Sequence, residues 1–318
     1  MNAKTLRPGS PRRFDAAPSA PAHPVIPRRL VHKVAKDEVL LSGWRATGED
    51  SFVTAAQWPW EHDFYVSDHG LYDPMLFVET FRQSIPLLCH AGYDAPMDHR
   101  QTWDRFRCTL FPEALRRDAL PAAPELHLTC ADVVRRAGRL TGMTMRATAV
   151  RDGRRLGLAE TRFTNQAPAI YRRLRGARSD AAAVMARAVP LPAPLAPDHV
   201  GQRSPQNVVL APGASDRHWQ LRVDTHHPVL FDHPVDHAPG MLLLEAARQA
   251  AHHVVRPARA VMTGLDVQFF RFVELDEVCW VEAEPALDTP LGHRTVRVTG
   301  RQADRAAFTA TVTMTLLD

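Results

Sequence analysis

From His226 to His253 the chain reads HHPVLFDHPVDHAPGMLLLEAARQAAHH. Its first half is rich in His, Asp and Pro. After Pro239-Gly240 comes a run of Met, Leu and Ala, all strong helix formers. This run leaves almost no polar stripe, so the spacing predicts a helix buried nearly all round. Glu245, Arg248 and Gln249 break the apolar surface at i, i+3 and i+4, and therefore share one face. A carboxylate and a guanidinium in such a helix are costly unless they are paired or used.

The same order occurs earlier in the chain. His62-Asp63-Phe64 leads through Tyr72-Asp73-Pro74-Met75 into Leu76-Phe77-Val78-Glu79-Thr80-Phe81-Arg82-Gln83. Glu79, Arg82 and Gln83 repeat the spacing of Glu245, Arg248 and Gln249. Upstream, Glu38-Val39-Leu40-Leu41 stands where Asn207-Val208-Val209-Leu210 stands in the second half. A repeat this long means two copies of one folding unit.

The 318 residues suffice for two such units with a substantial core. Hydrophobic content of 45% and charged content of 23% are those of a globular chain. Nothing approaches the ~20 unbroken apolar residues of a membrane helix, and no apolar leader stands at the start. Cys89, Cys108, Cys130 and Cys279 are widely spaced without a CxxC, which reads as reduced core thiols of a cytoplasmic protein and predicts no metal site. The net charge of +4 is carried almost wholly by Arg, because Lys4, Lys33 and Lys36 are the only lysines. Such a field favours acidic partners and is too dispersed for nucleic acid.

Residues 1–30 read as a disordered tail. Two strands are expected over 37–43 and 51–58, then a helix over Leu76–Leu88 that Pro86 should kink or end. Strands follow over 106–111, 124–131, 140–150 and 157–164, with Arg151-Asp152-Gly153 as a hairpin turn. Residues 176–205 read as a Pro- and Ala-rich connector. The second half repeats strand, strand, loop and helix, the helix over Met241–His253, with strands over 260–272, 277–284, 295–301 and 308–317. The chain thus divides into a first repeat over 31–175 and a second over 206–318. Each is a long helix followed by an antiparallel sheet. This is an α+β double hotdog, with two sheets side by side and the central helices paired.

DHPVDHAPGMLLLEAARQA, VHKVAKDEVLLSGW and DPMLFVETFRQ together closely resemble the A-factor biosynthesis (AfsA-type) hotdog proteins, and the likeness spans both halves. The resemblance implies an acyltransferase of γ-butyrolactone-type signalling. It would move a β-ketoacyl group from acyl carrier protein to the hydroxyl of dihydroxyacetone phosphate. No resident cofactor is implied, since the carrier delivers the phosphopantetheine arm. His233-Pro234 with Pro239-Gly240-Met241 and Glu245 is also similar to a dehydratase pattern, but the gap to the Glu is shorter and Pro234 replaces Phe.

Acyl transfer needs a base, oxyanion donors and a way to hold the acceptor. Glu79 and Glu245 are candidate bases, their pKa expected to rise in an apolar helix. His233 is a catalytic candidate through its place in the motif. The backbone N–H of Gly240 or Met241 at a helix start is the expected oxyanion donor. Arg82 and Arg248 are forked donors for a phosphate or keto oxygen. Arg248 is expected to take the substrate's negative end, with Gln83 and Gln249 beside them in the substrate site. The plainer reading of Glu79–Arg82 and Glu245–Arg248 is a pair of structural ion pairs. Arg172, Arg173, Arg175 and Arg178 are a possible carrier-docking run or a solvated face. A thioesterase or dehydratase, or a lactone-binding regulator, is the alternative function. The internal repeat allows a monomeric pseudo-dimer or a homodimer.

Overall fold

The computed structural model describes residues 26–286 and 292–317. The first half contains strands β1 Leu41–Gly48, β2 Ser51–Ala56, β3 Arg100–Leu110, β4 Glu125–Arg136, β5 Arg139–Arg151 and β6 Arg154–Gln166. The second contains β7 Leu210–Ser215, β8 His218–Leu221, β9 Ala260–Phe269, β10 Trp280–Pro285, β11 His293–Gln302 and β12 Arg305–Leu316. Helix α1 covers Pro74–Leu87, α2 Pro168–Arg175, α3 Ala181–Met185 and α4 Gly240–Val255. α1 and α4 are the two central helices of the repeat. Every residue of α1 except Arg82 is buried.

Among the described residues the strands form one antiparallel sheet in the order β1-β2-β4-β5-β6-β3-β9-β12-β11-β10-β8-β7. The order reads the same from both ends under exchange of the halves, so the repeat is a pseudo-twofold. The seam is β3 against β9, with Phe106 opposite Val267 and Cys108 opposite Leu265. Two separate sheets would each leave an open edge there, and pairing removes both. The two sheets lie side by side as expected, and the β3–β9 pairing joins them into one continuous sheet. The helices lie on one face of it, and a single apolar cluster runs through both halves. The last strand alternates as its sequence requires, with Ala310, Val312 and Met314 inward and Thr311 outward. Asp152 and Gly153 turn β5 into β6 at φ of 50° and 72°, the left-handed pair that a tight hairpin needs.

Three boundaries differ from expectation. Residues 1–25 of the expected tail lie outside the described residues, but Ile26 is buried against Val31, Leu41, Ala56 and Leu87. The first repeat therefore begins before residue 31. The strand expected from 37 begins at Leu41, and Lys36–Glu38 is a 3-10 turn. Its cause lies in α1: the Gln83 amide donates to the Glu38 carbonyl at 2.7 Å and accepts from Leu40 N–H at 2.9 Å, capturing groups a ladder would use. The connector is also shorter than expected. Pro197–Val200 is a 3-10 turn closed by Gly201 in the left-handed region, matching Arg28–Val31 closed by His32. Residues 197–205 thus belong to the second repeat. α2 packs on that repeat through Arg175, whose guanidinium is buried between Asp236 and Glu274. Arg175 is therefore part of the fold's interior, whereas Arg172 and Arg173 are exposed.

Candidate active site

The repeated Glu-x-x-Arg-Gln triplets build the same cluster twice. In α1, Arg82 Nε and Nη2 donate to the two carboxylate oxygens of Glu79 at 2.7 and 2.8 Å. In α4, Arg248 Nε and Nη2 donate to Glu245 at 2.8 and 2.6 Å. Gln83 donates to Glu79 at 2.8 Å, and Gln249 to Glu245 at 2.7 Å. Each Gln also clamps the turn that leads into the first strand of its half, Gln249 through the Asn207 carbonyl and the Val209 N–H. Gln83 and Gln249 thus spend their amides on the fold. Each Glu takes one more partner from the 3-10 turn of its own half. Lys33 Nζ is 3.2 Å from Glu79, and Gln202 Nε2 is 2.9 Å from Glu245.

The loops before the helices cross over. His62 Nδ1 accepts from the N–H groups of Phe64 and Tyr65, and His227 Nδ1 from those of Val229 and Leu230. The first loop then reaches the second half, where the Asp63 carbonyl meets the Asn207 amide and the Ser67 carbonyl accepts from Arg203 at 2.7 Å. The second loop reaches the first half, where Asp232 Oδ2 accepts from Val34 N–H at 2.9 Å. It brings His233 with it, Nδ1 lying 2.5 Å from Asp232 Oδ1 and the side chain one-third exposed. His233 is therefore assembled with Glu79, Arg82 and Lys33, although Glu245 is nearer in sequence. His32 joins this group: its ring lies 2.8 Å from the ring of His90. It holds φ of 52°, where the other half has Gly201. A side chain in that conformation costs on the order of 1 kcal/mol, so His32 is held there by its surroundings.

The two copies differ in charge and in exposure. The Arg82 side chain is 19% exposed and that of Arg248 4%. Beside Arg248 stands Asp73, its Oδ2 at 3.9 Å from Nη2. Asp73 also caps α1, accepting from Met75 N–H at 2.7 Å. Burial, only partly offset by Arg248, pushes the Asp73 carboxyl up to about 6. The Glu79 carboxyl moves the other way from expectation. Burial raises it, but Arg82 and Lys33 outweigh burial and hold it at about 2. The rise expected for Glu79 is corrected: a carboxylate forked by a guanidinium is stabilised charged.

The α4 start has Pro239 as N-cap and no side-chain cap, which leaves Gly240 and Met241 at a bare helix start. Gly240 lies under Trp103, where a Cβ would meet the indole at 3.2 Å. His237 pairs with Asp236 at 2.9 Å, but that carboxylate is shared with Tyr171 and Arg175. The four cysteines are free and buried, and burial pushes the Cys108 and Cys279 thiols up to about 12. They are poor nucleophiles. A groove of about 860 Å³ opens on the sheet face turned away from the helices, between Arg45, His127, Arg146 and Leu158, and none of the site residues lines it. The sequence reading missed Lys33, Gln202, Asp73 and Asp232. Lys33, Asp73 and Asp232 stand in the quoted motifs, so only their contacts were hidden.

The family model of the A-factor biosynthesis hotdog domain matches residues 14–166 and 184–318, one segment in each half. A Streptomyces virginiae protein named 2-oxo-3-(phosphooxy)propyl 3-oxoalkanoate synthase is 43% identical over 289 residues, covering 90% of this chain and 96% of its own. A Streptomyces coelicolor protein of the same name is 36% identical and covers 90% of each chain. Among solved structures, the 12:0-ACP thioesterase from Umbellularia californica superposes with a TM-score of 0.51 at 8% identity, over 83% of this chain and 94% of that one, a likeness of fold alone. No helix among the described residues is long and apolar enough to cross a membrane. With one family segment per half, the repeated buried triplets and relatives that match nearly end to end, the chain belongs to the A-factor biosynthesis hotdog family.

Proposed function

We propose that this chain is an acyltransferase that esterifies the hydroxyl of dihydroxyacetone phosphate with a β-ketoacyl group. The observation that carries this reading is the 43% identity over nearly the whole chain to a protein named for that product. The donor is a β-ketoacyl thioester on acyl carrier protein, whose pantetheine arm makes a resident cofactor unnecessary.

The residues fit the chemistry as follows. His233, with Nδ1–H donating to Asp232, presents Nε2 as the base for the acceptor hydroxyl. The oxygen attacks the thioester carbonyl, and the N–H groups of Gly240 and Met241 receive the developing oxyanion. The C–S bond then breaks, and the imidazolium returns its proton to the leaving thiolate. Glu79 is not the base in this scheme; it fixes the fork of Arg82, and Gln83 fixes Glu79. Glu245, Arg248 and Gln249 form the equivalent framework in the other half. In this scheme the anion-binding role expected of Arg248 falls to Arg82, whose side chain is 19% exposed, whereas Arg248 is 4% exposed and faces both Glu245 and Asp73.

The test is to incubate the protein with a β-ketoacyl thioester, with and without dihydroxyacetone phosphate, and to follow products by mass spectrometry. A phosphorylated ester formed only in the presence of the acceptor is expected. Free β-keto acid released at the same rate in both reactions would establish a thioesterase instead.

A further inference from the structure

The internal repeat supplies a comparison within one molecule. Five pairs of equivalent positions differ. Lys33 touches Glu79 where Gln202 touches Glu245. His32 stands where Gly201 does, at the same left-handed turn. Asp232 and His233 cross to the Arg82 copy, whereas Ser67 and Asp68 occupy those loop positions for the Arg248 copy. Pro239 is the N-cap of α4 where Asp73 is the N-cap of α1. Lys33 therefore stands at the Glu79–Arg82 pair where the Arg248 copy has the neutral Gln202, and the Arg248 copy alone has a built-in carboxylate, Asp73; its loop carries its own His–Asp pair, His69 with Asp68, and Arg203 on the Ser67 carbonyl. Exposure follows, since Arg82 is the one residue of α1 that is not buried and Arg248 is buried.

We infer that only the Arg82 copy binds the acceptor, that its phosphate sits beside Arg82 and Lys33, and that the Asp73 carboxylate is the internal anion that closes the Arg248 copy. The inference deepens the proposed function and rests on it for the identity of the acceptor. The closed copy supplies the pattern: the Arg248 Nη2 that donates to Glu245 also faces, at 3.9 Å, a carboxylate from the start of the opposing central helix. In the Arg82 copy that start carries Pro239, which brings no charge, so the anion comes with the ligand. Lys33 adds a point charge and Arg82 a planar fork, a pair suited to a phosphate monoester.

The copies can be exchanged by substitution. Pro239→Asp installs the closing carboxylate, and Asp is a favoured N-cap, so the helix start is kept. Lys33→Gln copies Gln202 and is the independent second variant should Pro239→Asp fold poorly. Asp73→Asn keeps the cap of α1 and removes the charge from the closed copy. Melting of the full chain is followed with inorganic phosphate and, separately, with dihydroxyacetone phosphate. Both are expected to raise the melting temperature of the unmodified chain and of Asp73→Asn. Pro239→Asp should lose the rise, and Lys33→Gln should need about tenfold more ligand, the loss of one charge-assisted contact of about 1.4 kcal/mol. A rise that survives both substitutions, a rise lost in Asp73→Asn, or no rise in the unmodified chain overturns the assignment. A normal phosphate response without acyl transfer would instead retire the proposed reaction and leave the anion site. Transfer that survives both substitutions would do the reverse.

Discussion

His233→Asn should lower the rate of acyl transfer by roughly 10²–10⁴-fold, the usual cost of losing a general base, and leave the fold in place. His233 is one-third exposed, so its removal strands little in the interior. Its Nδ1 is fixed by Asp232, which is itself tied to Val34 N–H. That arrangement orients Nε2 and sets the tautomer a base requires. Asp232→Asn should accordingly show a smaller loss in kcat with the acceptor KM little changed, because it disturbs orientation and not acceptor binding. His237→Asn is the control. Its Asp236 partner already serves Tyr171 and Arg175, and its effect on transfer should be slight. Single-turnover rates and melting curves for the three variants decide the matter. A His233→Asn protein of near-normal rate would place the base elsewhere.

Glu79→Gln should be destabilising by about 3–5 kcal/mol, the cost of stranding a buried charge when its partner is removed. Here Arg82 loses its carboxylate at 2.7 Å and Lys33 the nearer of its two, at 3.2 Å, keeping Glu38 at 3.7 Å. Transfer should fall as well, since an unfixed Arg82 no longer presents its fork. The pH dependence separates this role from that of a base. The Glu79 pKa is depressed in the fold to about 2 from an ordinary 4.5, so its stabilisation is present above pH 4.5 and is lost as pH falls toward 2. Asp73 has the opposite sign. Its raised value of about 6 means that its contribution is full below pH 3.8 and is lost as pH rises through 6. Acid unfolding of the unmodified chain should therefore steepen below pH 4.5, and Glu79→Gln should remove part of that slope. Glu245→Gln should also lose stability through Arg248, while keeping transfer activity in the fraction that remains folded. A stable Glu79→Gln protein with normal acid behaviour would show that the ion pair holds nothing in place.

The architecture was legible where side-chain periodicity reports burial. Leu, Met and Ala runs broken only by Glu, Arg and Gln at i, i+3 and i+4 required buried helices with one polar face, and α1 and α4 follow. The flanking match of Glu38 with Asn207 was also legible, and the Gln83 and Gln249 clamps on those carbonyls explain it. The beginnings of the repeats were not. Arg28–Val31 and Pro197–Val200 share only their final buried Val; otherwise they share a backbone path that ends in a left-handed residue, His32 or Gly201. Lys33 and Gln202 are aligned by that path alone, so their common role was invisible. The fusion of two sheets into one was hidden too, because strand pairing across β3 and β9 depends on which edges meet. For Glu79, sequence reasoning weighed burial and left out the second cation. Lys33 lies far from it in the chain, and together with Arg82 it reverses the direction of the shift.

The most direct test of a single working copy is the stoichiometry of acceptor binding. Dihydroxyacetone phosphate titrated calorimetrically into the full chain should bind with one equivalent per chain, and Pro239→Asp should abolish that binding. Two equivalents per chain, or one that persists in Pro239→Asp and disappears in Asp73→Asn, would contradict the account.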